Sequence, residues 1–166
     1  MIVRAGGFNF MRVASAAPEL RVADVDFNAA QMRVAMEAAA LHGASIILFP
    51  ELSLTGYTCA DLFRQSTLIN KAHEALRAFA VDTEKLGIHA IVGVPLAVNG
   101  RLYNCAALIG FGRVFGIVPK QFLPTTGEFY EERWFTSGAE LAPNEIDLAG
   151  TCQKRFSLYP FYRFDE

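Results

Sequence analysis

Two ionisable residues of this chain each follow an apolar stretch that ends in proline. Glu51 comes after IILFP at residues 46–50, and Lys120 comes after Val118 and Pro119. A carboxylate placed at the end of a strand can act as a general base, and a lysine held beside the reacting carbon can stabilise an oxyanion. Together they would be half of an amide-cleaving site. The same pair could instead be a plain salt bridge or two unrelated surface charges.

The other half of such a site is a nucleophile, for which a thiolate activated by a carboxylate base is the natural choice. The chain has three cysteines, Cys59, Cys105 and Cys152. Cys105 lies inside a predicted strand and suits a small core residue, while Cys59 has no neighbour that would activate its thiol. Neither of these two completes the site.

The elements that carry Glu51 and Lys120 follow from the hydrophobic pattern. Residues 46–49 predict a strand buried on both faces, which Pro50 ends because proline cannot donate a hydrogen bond to a β-ladder. Glu51 then lies at the carboxyl end of that strand, where ligand clefts form in open α/β sheets. Residues 114–118 predict the strand that leads to Lys120.

An amphipathic helix is predicted on either side of the Glu51 strand. Asp24 or Asp26 caps the first helix and Gly43 ends it, while Gly87 ends the second. Each helix has one apolar stripe at helical spacing, which indicates one buried face. The stripes consist of Met32, Met36, Ala39 and Ala40 in the first helix, and of Leu68, Ile69, Ala72, Leu76, Phe79 and Ala80 in the second.

Strands account for the remaining regular pattern. Residues 8–17 predict the first strand, and residues 89–109 predict a hairpin that turns at Asn99 and Gly100. Residues 120–137 have no periodicity but many aromatic side chains, which is typical of an ordered functional loop. The order of elements predicts an α/β fold with helices on one side of a sheet, and the bare face of that sheet needs a partner layer.

Composition excludes several classes of protein. The 166 residues are 52% hydrophobic and 19% charged, which is enough to bury a core, and the net charge of −2 gives no reason to expect nucleic acid as a partner. No apolar run approaches the roughly 20 residues that a membrane span needs. The first ten residues, MIVRAGGFNF, lack the apolar core of a signal peptide, so a cytoplasmic protein with reduced thiols is expected. The sequence shows no spacing typical of metal ligands, so no metal site is predicted.

Three segments resemble one family. FPELSLTGY at residues 49–57, the VPK that ends at Lys120 and GEFYEERWF at residues 127–135 are similar to the nitrilase, or carbon-nitrogen hydrolase, superfamily. The LTGY followed by Asp61-Leu62-Phe63, and the glutamate-rich aromatic segment, most resemble the amino-terminal glutaminase domain of glutamine-dependent NAD synthetases. The resemblance covers roughly residues 10–140.

The resemblance implies a fold, an activity and partners. The fold is an αββα sandwich, of which residues 1–150 would supply one α/β layer while the remainder is missing. The activity is hydrolysis of glutamine to supply ammonia for ATP-dependent NAD synthesis from nicotinate adenine dinucleotide. ATP and Mg²⁺ are implied only for a separate synthetase domain, normally C-terminal in the same chain, and the glutaminase domain itself needs no cofactor. The full-length family members form homo-oligomers.

The resemblance also implies roles for individual residues. Glu51 matches the family's general base and Lys120 its oxyanion-stabilising lysine. The additional glutamate that many members place near the lysine matches Glu128 or Glu131, and the sequence leaves both open. The positions that line the glutamine pocket match Tyr57 and Phe129.

The carboxyl-terminal part of the chain departs from the family pattern. The nucleophilic cysteine should follow an apolar strand in a context such as ICED, whereas Cys152 lies in AGTCQKRFSL, so no nucleophile is identified. Residues 151–166 match no expected element and suggest an altered or truncated reading frame. We therefore expect the chain alone to release no ammonia from glutamine. Two other interpretations stay open: part of a stand-alone amidase of the same superfamily, and a non-catalytic remnant that acts only as a binding partner.

Overall fold

The computed structural model describes residues 10–141, 145–146 and 156–158. Within these residues the regular elements alternate between strands and helices before a run of strands, as the sequence predicts. They are β1 (Val13–Ser15), α1 (Val25–Leu41), β2 (Ile46–Leu48), α2 (Ser66–Leu86), β3 (His89–Val98), β4 (Arg101–Gly110), β5 (Arg113–Pro119), β6 (Glu145–Ile146) and β7 (Phe156–Leu158), with short 3-10 helices at Ala60–Arg64, Glu131–Arg133 and Gly138–Glu140.

All the described strands belong to one mixed sheet, in the order β1-β2-β3-β4-β5-β7-β6. Strands β1, β2 and β3 are parallel, and β4 is antiparallel to both of its neighbours, β3 and β5. Because β4 reverses the chain between them, β5 points the same way as β2 and β3. The carboxyl ends of β2 and β5 therefore meet at one edge of the sheet, although two strands separate them.

Both helices pack on the same face of this sheet. Helix α1 begins where the Asp24 carboxylate accepts a hydrogen bond from the Phe27 amide, and α2 ends at Gly87, whose φ of 64° is the left-handed conformation that glycine adopts without strain. The stripes predicted from the sequence face the core, with Ala40 only partly buried. The core between sheet and helices includes Met32, Met36, Leu76, Phe79, Val92, Val94, Ala107 and Ile117.

The opposite face of the sheet has no helix over it among the described residues. Ile47, on the helix side of β2, is 1% exposed, whereas Leu48, on the other side, is 47% exposed. The prediction that this strand is buried on both faces is therefore wrong for the described part of the chain, since α1 and α2 cover one face only. Val13 and Leu108 are also exposed on the bare side, as expected of a sheet face that no described element covers.

Other predictions differ from the structure in extent. The first strand is shorter than predicted, covering Val13–Ser15, and residues 1–9 lie outside the described part. The hairpin turns at Asn99 and Gly100 as predicted, with φ of 50° and 76°. The strands β6 and β7 were not predicted, because pairs this short leave no periodicity in the sequence and depend on main-chain hydrogen bonds. No helix in the described ranges is long and apolar enough to cross a membrane.

Candidate active site

The chain after β2 crosses over β3 to bring Glu51 towards β5. As it crosses, the Phe49 amide donates to the carbonyl of Ile91, and the amide of Leu54 donates to the carbonyl of Gly93. Gly93 makes this crossing possible, since a Cβ atom built there would lie 2.2 Å from the Leu52 nitrogen and 2.5 Å from the Pro50 oxygen. Sequence periodicity did not single out Gly93, because a glycine inside a strand gives no sign of what passes over it.

Replacing Gly93 with alanine is expected to destabilise the protein by about 2 kcal/mol. The added methyl group would meet backbone atoms of the Glu51 turn, so the turn has to shift, and forced overpacking of this kind typically costs about 1–3 kcal/mol. Urea unfolding measures the change. Gly100→Ala cannot serve as the control, because Gly100 has a positive φ that alanine adopts only with strain. The control is Ala106→Gly, at the residue of the neighbouring strand that pairs with Gly93. A Gly93→Ala variant as stable as the wild type would contradict the close approach.

Glu51 and Lys120 are in direct contact at the carboxyl edge of the sheet. Lys120 Nζ donates to Glu51 Oε1 over 2.7 Å, although the two residues are 69 positions apart in the chain. The same carboxylate oxygen accepts a hydrogen bond from Asn104 Nδ2 at 2.5 Å. Asn104 is 3% exposed and was not predicted from the sequence, where an asparagine inside a strand carries no signal of its partner.

Glu131 is the third charged group of the site. Its Oε1 accepts hydrogen bonds from Lys120 Nζ at 2.8 Å and from the Tyr57 hydroxyl at 2.6 Å. The residue is only 2% exposed, and its Oε2 is buried with no hydrogen-bond partner among the described residues. Lys120 therefore bridges two carboxylates, one of which is almost completely removed from solvent.

The two glutamates that the sequence left open have different surroundings. Glu131 contacts Lys120, whereas Glu128 lies on the exposed surface of the aromatic loop. Tyr57 and Phe129 make an edge-to-face ring contact with centroids 6.4 Å apart. All four line a small cavity of about 160 Å³, which reaches the charged groups at Glu131 and is lined by neither Glu51 nor Lys120. Tyr57 and Phe129, which are predicted to line a substrate pocket, thus lie on the Glu131 side of the site.

The electrostatic setting keeps Lys120 charged and Tyr57 neutral. Burial, the largest single influence, lowers the pKa of Lys120, but the hydrogen bonds to Glu131 and Glu51 outweigh it, so this pKa is raised above its ordinary value. Burial raises the pKa of Tyr57, and the hydrogen bond to Glu131 raises it further. Tyr57 is therefore a hydrogen-bond donor at neutral pH, and Lys120 is a fixed cation.

A second set of contacts holds the aromatic loop in place. Asp61 accepts hydrogen bonds from the guanidinium of Arg133, at 3.2 and 3.3 Å, and from the indole nitrogen of Trp134 at 2.9 Å. Beneath them the rings of Phe63 and Phe135 pack with centroids 4.9 Å apart. Because these contacts flank Glu131 directly, they position the segment that carries the buried carboxylate.

The described cysteines are not suited to be the nucleophile. Cys59 and Cys105 are free thiols and both are buried. Burial raises the pKa of each thiol, which disfavours the reactive thiolate. Cys152 lies outside the described residues, as does most of the 151–166 tail. In the part of the chain that the structure describes, no three or more His, Cys, Asp or Glu side chains are grouped to hold a metal ion.

A surface groove lies next to the charged groups. The groove has a volume of about 550 Å³, lies on the bare face of the sheet and ends at Glu51 and Lys120. Its lining is mainly apolar and includes Leu48, Ile91, Ala106, Val118 and Phe122. The charged groups are thus at the rim of an apolar surface rather than in open solvent.

Comparison with known proteins gives the family. The carbon-nitrogen hydrolase family model matches residues 12–156. The glutamine-dependent NAD(+) synthetase of Mycobacterium tuberculosis is 37% identical over 129 residues, which are 78% of this chain and 19% of that protein. The synthetase of Thermotoga maritima is 31% identical over 131 residues, which are 79% of this chain and 23% of that protein. This chain therefore spans about a fifth of the length of these relatives.

Solved structures agree with this family. A glutamine-dependent NAD(+) synthetase from Cytophaga hutchinsonii matches with a TM-score of 0.81 and 30% identity, over 89% of this chain and 25% of that one. An amidase from Nesterenkonia sp. matches with a TM-score of 0.68 and 25% identity, over 89% of this chain and 54% of that one. The α/β fold predicted from the sequence is confirmed, and the chain belongs to the carbon-nitrogen hydrolase family, with similarity to part of the glutamine-dependent NAD(+) synthetases.

Proposed function

We propose that this chain supplies the base, the lysine and the accessory glutamate of a glutamine amidohydrolase. Glu51 is the general base, Lys120 stabilises the oxyanion, and Glu131 rather than Glu128 is the accessory glutamate. The observation that carries the proposal is the bridge that Lys120 makes between the carboxylates of Glu51 and Glu131. The nucleophilic thiol comes from residues outside those described.

The proposed chemistry is a two-step acyl transfer. The thiol attacks the side-chain amide carbon of glutamine while Glu51 takes the thiol proton, and Lys120 stabilises the negative charge that develops on the amide oxygen. Glu51 then gives the proton to the leaving nitrogen, so ammonia departs and a thioester remains. Water, deprotonated by Glu51, then attacks the thioester, and Glu51 returns that proton to the departing sulfur, which releases glutamate and restores the thiol.

Two features of the site support glutamine as the substrate. Tyr57 and Phe129 offer an aromatic wall beside Lys120, and Glu131 Oε2 is a buried acceptor that lacks a donor among the described residues. A buried acceptor of this kind is usually satisfied by a donor, which has to come from residues outside those described or from a small local rearrangement when substrate binds. The higher identity to the NAD synthetases than to the amidase points the same way.

The wider context of this activity is also part of the proposal. The ammonia would be used by a synthetase domain that takes ATP with Mg²⁺. The described residues do not fit that ligand pair, since they hold no cluster of carboxylates for a metal ion. A cytoplasmic location and assembly into homo-oligomers stay predictions from the sequence.

A chimera tests the proposed activity. In it, the 129 aligned residues of the M. tuberculosis synthetase are replaced by their counterparts from this chain, so that the rest of that protein completes the domain. We expect the chimera to release ammonia from glutamine, measured by a coupled ammonia assay, while the 166-residue chain alone releases none. A chimera that melts like its parent protein but releases no ammonia would contradict the proposal.

A second candidate is hydrolysis of another small amide. The likeness to the Nesterenkonia amidase, over more than half of that chain, favours it. The same chimera distinguishes the two, because a glutaminase releases ammonia from glutamine in preference to propionamide or butyramide. Faster release from the simple amides would favour the amidase.

A further inference from the structure

Asn104 on β4 is hydrogen-bonded to both partners of the Glu51–Lys120 pair. Its side-chain Nδ2 donates to Glu51 Oε1 at 2.5 Å, and its main-chain oxygen accepts from the Lys120 amide at 2.7 Å. Asn104 is 3% exposed, whereas the side chains of Lys120 and Glu51 are 31% and 41% exposed, so a buried residue holds two partly exposed ones. One residue of a central strand thus ties together two segments that are far apart in sequence.

The orientation of the Asn104 amide follows from the chemistry of its partner. A carboxylate has only acceptor atoms, so the asparagine has to present its NH₂ group and not its carbonyl. Glu51 Oε1 then receives two donors, Asn104 Nδ2 and Lys120 Nζ. With Oε1 engaged twice, Oε2 is the oxygen of Glu51 that is left to take up a proton.

Glu51 needs such an anchor because of where it lies. It belongs to the turn at residues 51–55, and its side chain is 41% exposed, so packing does not restrict its rotamers. Asn104, by contrast, lies in the middle of β4, in register with Pro95 of β3. A side chain on a hydrogen-bonded strand is held in a more precise position than a side chain on a turn. Through a hydrogen bond, the strand residue can also restrict the position of the turn residue.

We infer that Asn104 is a positioning residue, which holds the Glu51 carboxylate with Oε1 engaged and Oε2 available to exchange the proton. The inference rests on the proposed role of Glu51 as general base. Asn104 acts through Glu51 and does not itself contact the reacting atoms. Its effect is therefore on the rate of the chemical step and not on the affinity for substrate.

Two substitutions of Asn104 in the chimera test the inference. Asn104→Leu removes the donor but keeps the branching of the side chain, and Asn104→Asp keeps the shape but places a second carboxylate against Glu51. We expect kcat to fall about 100-fold in both variants with KM within about twofold, because misplacing a reacting group by about 1 Å has an effect of that order. Leu108→Thr, on the same face of β4 but away from Glu51, is the control and should keep the kcat of the unmodified chimera.

A second measurement does not depend on activity. NMR titration of the Lys120 side-chain amine in the 166-residue chain reports whether Glu51 stays in contact with it. In Asn104→Leu the pKa of Lys120 should fall, because Glu51 is no longer held beside it, and in Leu108→Thr it should not change. Glu51→Gln gives the reference for complete loss of that charge.

The outcomes separate this inference from the proposed function. If Asn104→Asp and Asn104→Leu keep the kcat of the unmodified chimera, or if the Lys120 titration in Asn104→Leu equals that of the wild type, Asn104 is not a positioning residue. If the chimera releases no ammonia with Asn104 in place, the proposed function fails. The Lys120 titration then still decides whether Asn104 holds Glu51.

Discussion

Replacing Glu51 with glutamine in the chimera lowers kcat for glutamine hydrolysis about 1000-fold, the middle of the range for loss of a general base. Glutamine keeps the length of the side chain and can still accept from Asn104 Nδ2 and Lys120 Nζ through its amide oxygen. The substitution therefore removes the capacity to take up a proton while leaving the contacts that hold the group. Steady-state ammonia release as a function of glutamine concentration measures the change.

The control for this prediction is Glu132→Gln, which removes one carboxylate from an exposed position next to the buried Glu131. It should leave kcat unchanged, since Glu132 lies on the surface and makes no contact with Lys120. A Glu51→Gln chimera that keeps more than a tenth of the kcat would rule out the role of base, whatever the other variants do.

Replacing Lys120 with methionine destabilises the 166-residue chain by about 3 kcal/mol. The substitution leaves Glu131 as a buried carboxylate without its cation, and breaking a buried ion pair from one side costs about 3–5 kcal/mol because the remaining charge is uncompensated. The Tyr57 hydroxyl still donates to Glu131 Oε1, which places the expected value at the lower end. Urea unfolding at pH 7 measures the loss as a lower midpoint at constant m-value.

The double variant Lys120→Met/Glu131→Gln isolates the cause. It should recover most of the lost stability, because no charge is left buried. Lys71→Met is the matched control: it breaks the ion pair with Asp26 on the exposed surface and should leave the urea midpoint unchanged. A double variant no more stable than Lys120→Met would show that lost packing, not charge, explains the effect.

The pH dependence of this pair has a definite sign. The pKa of Lys120 is raised in the folded state, so its contribution to the free energy of unfolding is fully present below the ordinary value of 10.5 and is lost as the pH rises through the higher folded value. The deficit of Lys120→Met relative to the wild type should therefore be the same at pH 7 and pH 9 and shrink only in more alkaline solution.

The sequence predicted the features that depend on residues close to one another along the chain. The apolar stripes of both helices, the hairpin turn at Asn99 and Gly100, and the strand ends before Glu51 and Lys120 follow from local periodicity and turn chemistry. Short motifs were enough to identify the family, and the match to the carbon-nitrogen hydrolase model over residues 12–156 confirms it.

For strand β2, the local sequence pattern gave a wrong prediction of burial. An apolar run such as residues 46–49 predicts burial on both faces, but Leu48 is exposed because both helices cover the other side of the sheet. Whether a hydrophobic side chain is covered depends on which layers pack against its strand, and periodicity within the strand does not report that.

The arrangement of the site depended on the tertiary structure. By sequence, Glu128 and Glu131 were equivalent candidates, and Asn104 and Gly93 were ordinary strand residues. The reversal of the chain in β4 brings the ends of β2 and β5 to one edge, and the crossing over Gly93 brings Glu51 to Asn104 and Lys120. The contact between Lys120 and Glu51 joins residues 69 positions apart.

The sequence by itself thus determined which groups can do chemistry and the order of the elements that carry them, because both depend on residue type and local spacing. Only the tertiary structure decided which glutamate Lys120 contacts and which residue holds Glu51. Those contacts depend on strand direction and on close approach between distant segments, and such distances are set when the layers pack and not by the neighbours of each residue along the chain.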